Sequence, residues 1–218
     1  MRFLIREYKS LPPATKFLVT AIFIGYFTGL AAGYRADMIF GLVPAQVVHS
    51  YWFWQPLTYM FLHGGFLHIL FNGFMLWTLG SIVESAWGSR EFLKYFFITG
   101  AGAALFNIAL TPYSSIPIIG ASGAIYGLLV AFGFLHPNAK LALMFVPVPI
   151  AAKYFIPGLL LLDLFSGVTG FSIFGAGIAH FAHLGGALIG FLLMLLWRRR
   201  TAASGPVRFQ GGASESAP

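Results

Sequence analysis

The sequence predicts an all-α membrane protein: a bundle of six transmembrane helices with both ends on the same side. Three observations predict it. Hydrophobic residues make up 58% of the 218 residues and charged residues only 9%, against roughly 25% charged in a soluble domain. Mean hydropathy is +0.82, so the chain cannot cover a water-facing surface and its solvent is mostly lipid. Its apolar runs approach the roughly 20 residues that cross a bilayer as a helix.

The first run is Phe17 to Gly33, the second Phe66 to Val83 and the third Phe92 to Leu110. The fourth, Ser122 to Leu135, is short. The fifth lies within Ala151 to Phe165, where Pro157 either starts or kinks a helix. The sixth is Gly177 to Trp197. Between the first two runs, residues 34–62 hold "HSYWFWQPLTYMF", an aromatic cluster suited to the membrane interface; Pro56 argues against an unbroken helix there. The N-terminus "MRFLIREYKSLPPATK" does not read as a signal peptide, since charge breaks its apolar stretch. The expected organisation is a cytoplasmic segment 1–14, a helical core 15–197, and a basic and then disordered cytoplasmic tail 198–218.

Charge orients the bundle. Arg2, Arg6, Lys9 and Lys16 precede the first run, and Arg90 and Lys94 follow the second. Lys140 and Lys153 lie between the fourth and fifth, and Arg198, Arg199 and Arg200 follow the sixth. The alternate loops carry only Arg35. The positive-inside rule then puts both termini in the cytoplasm, as an even number of helices requires. The short basic N-terminus, with no organellar signal, favours a bacterial inner membrane. The net charge of +7 sits beside apolar runs and not in a polar patch, so nucleic-acid binding is not expected. With no cysteine, disulfides, thiolate nucleophiles and iron–sulfur clusters are excluded.

Polar side chains at membrane depth are costly and need a reason. Into the second run leads "HGGFLHILFN", with His63 just before it and His68 and Asn72 inside it; His68 and Asn72 share one helical face. Ser122 stands at the start of the fourth run, and His180 and His183 lie a turn apart in the sixth. All three of these runs begin on the outer side, so the polar groups share the outer half of the bundle. Taken singly, each has a plain structural role: a serine bonded to its own helix, a packing histidine, an interhelical asparagine. Metal binding is not expected, because "HGGFLH" lacks the spacing and glutamate of a zinc helix; nor is a cofactor.

The glycines favour chemistry. Gly123 and Gly127 are four apart, as are Gly186 and Gly190, and each pair lets a neighbouring helix approach closely. Packing those faces together brings Ser122 within reach of His183, the geometry of a nucleophile and its base.

Three motifs now stand in order: "HGGFLHILFN", "GASGAIYG" and "HLGGALIG". Together they resemble the rhomboid intramembrane serine proteases, whose patterns are His-x4-His-x3-Asn, GxSG and His-x2-Gly-x3-Gly. The resemblance implies a six-helix rhomboid-like bundle that hydrolyses transmembrane segments of other proteins, with the lipid bilayer as its surroundings. It implies Ser122 as nucleophile and His183 as general base. His68, Asn72 and the Ser122 amide would form the oxyanion hole, with Gly120 and Gly123 giving the nucleophile its setting and Tyr126 packing on the imidazole. It also implies that Glu84 ties down the first loop. Gln55 stands where some members carry arginine in a Trp-Arg pair, a departure that bears on the first loop's anchoring and not on the chemistry. No acid is expected within range of His183, Asp163 included, so the reading is a Ser-His dyad. His180 reads as a packing or water-binding neighbour. The alternative is an inactive rhomboid-like protein that binds membrane clients; a transporter is disfavoured, since the sequence shows no inverted repeat.

Overall fold

The computed structural model describes residues 8, 10–143, 146–170 and 179–203. The described part is a helical bundle. Helix α1 is Pro13–Ala32; three short helices follow, α2 Tyr34–Phe40, α3 Pro44–Ser50 and α4 Gln55–Thr58. Helix α5 is Phe66–Trp87, continuous through a π-type stretch at Leu76–Gly80. Then come α6 Ser89–Leu110, α7 Ser122–Leu135, a hairpin of β1 Lys140–Leu143 with β2 Val146–Ala151, α8 Ala152–Thr169 and α9 His180–Ala203.

Helices α1, α5, α6, α8 and α9 each contain a segment long and apolar enough to cross a bilayer. With the shorter α7 they make the six helices of an integral, multi-pass membrane protein. Pro157 lies inside α8 and does not start it. The antiparallel hairpin, with Lys140 opposite Ala151, fills the connection between the fourth and fifth apolar runs. The first six residues expected in the tail continue α9 to Ala203. The expected disorder of 204–218, most of segment 1–14 and the start of the sixth run at Gly177 lie outside the described residues.

Helix α7 is the bundle's axis. Ala124, Leu128 and Ala131 are fully buried within it, and it packs against both α6 and α9. Its 14 residues span about 21 Å at 1.5 Å per residue, short of the roughly 30 Å hydrocarbon core. A helix that short, seated in the bundle centre, does not reach both membrane surfaces. Its first residue is Ser122.

Glycine contact sets the α7–α9 spacing. A Cβ on Gly186 would collide with the carbonyl of Gly123, and one on Gly190 would meet the Gly127 backbone at 3.0 Å. On the α9 side these two close approaches need bare backbone; Gly123 and Gly127 are bare toward α6, where a Cβ would meet Ala103 at 2.7 Å and Thr99 at 2.6 Å.

Two anchoring expectations change. Glu84 does not hold the first loop. Its carboxylate accepts the backbone N–H groups of Ala14 at 2.9 Å and Thr15 at 2.6 Å, and the Ser89 hydroxyl at 2.7 Å. It therefore caps α1, where unpaired N–H groups and the helix dipole favour a carboxylate. The reason is positional: the first loop follows the far end of α1.

Gln55 performs the anchoring instead. Fully buried, it accepts from Val43 N–H at 2.9 Å and donates to Met38 C=O at 3.0 Å and Gln46 Oε1 at 2.8 Å. The loop so held grips the approach to α7. Leu42 and Ile118 exchange backbone hydrogen bonds at 2.8 Å, and Gly120 N–H donates to Tyr59 C=O at 3.0 Å. Gln55→Ala leaves several of these groups buried and unpaired, at about 1–3 kcal/mol. Thermal melting in detergent should fall measurably, with proteolysis appearing first in residues 34–62; an unchanged melt would show that the loop is held by its backbone alone.

Candidate active site

Ser122 opens α7. As the first helical residue, its N–H has no carbonyl one turn back and is free for another acceptor. The chain turns into it through Gly120, whose φ of +124° is a conformation L side chains rarely adopt. Size matters there as much as conformation. A Cβ on Gly120 would lie 2.6 Å from His68 Nε2 and 3.8 Å from Ser122 Oγ. The volume above this glycine is thus bounded by a hydroxyl on one side and an imidazole nitrogen on the other.

His183 comes to Ser122 from α9. Its Nε2 is 2.8 Å from Ser122 Oγ. Tyr126, one turn into α7, stacks on the His183 ring at 4.3 Å between centroids and 10° between planes. The imidazole is held flat by the aromatic ring and aimed by the helix contact at Gly123 and Gly186.

His68 stands on α5 with Asn72 one turn on. Gly64 N–H approaches His68 Nδ1 at 3.4 Å, which favours the tautomer with its proton on Nε2, the nitrogen facing Gly120. The Asn72 amide donates to His68 C=O at 2.8 Å. One amide hydrogen remains, and Asn72 Oδ1 is buried without a partner. His63 packs edge-on to His68 at 4.9 Å. Burial, with His68 beside it, pushes the His63 ring down to about 3, so it stays neutral at ordinary pH.

Asp163 overturns the expectation that no acid lies in range. From α8, buried, its Oδ1 lies 3.4 Å from His183 Nδ1 and 2.5 Å from His180 Nδ1. His180 is accordingly a hydrogen-bonded partner of a carboxylate and more than a packing group. The signal for this is present in the sequence: an aspartate within a spanning helix is expensive without a partner, and histidines supply one.

Asp163, His180 and His183 bring three ligand atoms within 4.8 Å of one another. The 2.5 Å oxygen–nitrogen spacing is that of a direct hydrogen bond. Ligands of a tetrahedral zinc ion, at about 2.0–2.2 Å from the metal, stand further apart than that, so the cluster as built does not fit the ion.

A family model of the rhomboid domain matches residues 50–200. The chain is 30% identical over 153 residues to the rhomboid protease GluP of Bacillus subtilis (strain 168), covering 70% of this chain and 27% of that protein. It is 29% identical over 194 residues to the rhomboid protease GlpG of Salmonella typhi, covering 87% and 66%. It is 32% identical over 148 residues to the mitochondrial presenilin-associated rhomboid-like protein A of Danio rerio, covering 64% and 38%. The chain thus spans between about a quarter and two thirds of the length of these relatives.

Proposed function

Because the chain belongs to the rhomboid family, we propose that it is an intramembrane serine endopeptidase, with Ser122 as nucleophile and His183 as base. The observation that carries this is the 2.8 Å contact between Ser122 Oγ and His183 Nε2, beside a space bounded by Gly120 and His68. The proposed core is residues 15–197, flanked by the N-terminal segment 1–14 and a tail 198–218 whose first six residues continue α9.

The chemistry follows from the geometry. Ser122 Oγ attacks the scissile carbonyl carbon while its proton passes to His183 Nε2. The carbonyl oxygen becomes an oxyanion, with the Ser122 N–H, His68 Nε2–H and the spare Asn72 amide hydrogen as donors. Collapse breaks the C–N bond, and the His183 proton goes to the departing amine. Water then attacks the acyl ester by the same route in reverse order, releasing the acid and restoring Ser122.

The substrate is a transmembrane segment of another protein, cut near its extracytoplasmic end. It must leave its helix locally, since a helical carbonyl is hydrogen-bonded and shielded; small and helix-breaking residues near the cut favour that. The setting is the bilayer of a bacterial inner membrane, with both termini cytoplasmic and the site opening outward.

A fluorophosphonate probe, which reacts with activated serines, should label the detergent-purified protein at Ser122, and a model transmembrane substrate should be cleaved. Absence of both would favour the client-binding alternative. A reporter fused after Arg200 should read as cytoplasmic, and a tag within "TPYSSIP" should be reachable from outside. The reverse pattern would put Ser122 on the wrong side for this class of substrate.

A further inference from the structure

Helices α7, α8 and α9 enclose a lateral cavity of about 450 Å³. Its α7 lining, Val130, Gly133 and Phe134, comes from the half of that helix away from Ser122. We infer that this cavity seats one acyl chain of an anionic glycerophospholipid from the surrounding bilayer, with the lipid phosphate on Lys153 and Lys140. The inference goes beyond the protease reading and does not depend on it.

The shape of the cavity selects a chain. Gly133 is bare where a Cβ would lie 2.8 Å from Ile156, and Ala152 and Ala187, also lining it, are buried. Small residues thus leave the space. Phe134 and Phe191, with ring centroids 5.7 Å apart, wall it. Apart from Lys153 every lining side chain is apolar, so water finds too few polar partners to settle there. The α8 lining runs from Ala152 to Leu160, about 12 Å of helix. A space of that volume and length is narrower than a helix, which is about 10–12 Å across with its side chains. It suits one extended hydrocarbon chain.

Charge selects the headgroup. Lys153 is the one charged residue of the lining and stands at its α8 N-terminal end. Lys140 faces Ala151 across the β1–β2 hairpin, which brings a second cation to the same edge. Neither lysine has a carboxylate within ion-pair distance among the described residues, whereas Lys94 pairs with Glu91 at 2.6 Å. The Lys153 ammonium lies over the exposed Tyr154 ring, 5.2 Å from its centroid, and a tyrosine there suits the headgroup level. Unpaired cations at the mouth of an apolar cleft between spanning helices complement a phosphate with a chain behind it.

The test is binding of phosphatidylglycerol and phosphatidylcholine with identical acyl chains to the delipidated full chain in detergent, read by native mass spectrometry. Phosphatidylglycerol should bind more tightly. Each lysine is expected to contribute about fivefold, or about 25-fold together. Lys140→Gln/Lys153→Gln should therefore bring phosphatidylglycerol down to the level of phosphatidylcholine. Arg90→Gln/Lys94→Gln, which removes two cations elsewhere on the bundle, should change its affinity less than about twofold. Equal binding of the two lipids to the wild type would overturn the inference, and so would equal losses in the two double variants, the mark of diffuse surface charge. Phosphatidylglycerol with a diazirine in the middle of one acyl chain should crosslink to the wild type at Ile156, Leu160 or Leu188. Labelling confined to other helices would overturn the inference even if the lysine variant failed to fold.

Discussion

Ser122→Ala is expected to reduce cleavage of a model transmembrane substrate by about 10⁶-fold, the loss found when a serine protease is deprived of its nucleophile. The proposed oxyanion donors survive the substitution, so a trace of rate above the uncatalysed reaction should remain. The fold should survive too. Alanine is smaller than serine, the residue is only part-buried, and the α7–α9 seam is made by Gly123 and Gly186. His183 keeps its stacking on Tyr126 and its contact with Asp163. The check is a cleavage assay on variant and wild type matched by thermal melting. Turnover above about 1% in the variant would end the serine-protease reading. Because the two groups act as a unit, the double variant Ser122→Ala/His183→Ala should be no worse than either single one.

His183→Ala is expected to lose as much, and His180→Ala much less. The two histidines lie one turn apart and touch the same carboxylate oxygen, so proximity to Asp163 does not separate them. Reach toward α7 does. His183 presents Nε2 to Ser122 at 2.8 Å and its ring face to Tyr126, whereas His180 meets the His183 ring edge-on at 6.3 Å. Removing His183 removes the only base in contact with the hydroxyl among the described residues. Removing His180 leaves the Ser122–His183 contact in place; the expected loss is within about tenfold. Assays on purified variants of equal melting temperature decide the matter. A dead His180→Ala beside an active His183→Ala would mean that the functional face of α9 is rotated by one turn.

Much of the fold and of the candidate site is legible in the sequence, for identifiable reasons. Hydrophobic length marks spanning helices because lipid admits little else, so Phe66, Leu110 and the whole of Ser122–Leu135 fall where the helices start or end. The seam between α7 and α9 is legible because glycine spacing records close backbone approach. Asp163 is not. Its meeting with His180 and His183 depends on how α8 rotates and tilts against α9, which no local pattern fixes. Yet the rule that a polar group at membrane depth needs a partner applies to Asp163 as much as to the histidines and Asn72, and flags it equally. Glu84 misleads through family likeness, since by helix count it lies at the end of α5 away from the first loop. Gln55 looks like a missing arginine because its charge is absent, but a buried amide can accept and donate at once, which arginine cannot.

The meeting of Gly123 with Gly186 has a mechanical consequence. Side chains that set a spacing can trade volume with their neighbours, and the spacing drifts as they do. Here two main chains bear directly on each other, so the oxygen-to-nitrogen distance at the site is gauged by an incompressible stop with no adjustable part. Looser packing elsewhere in the bundle would leave this limit on the helices' approach unchanged. A single added methyl at Gly186, by contrast, enters the working gap undiminished.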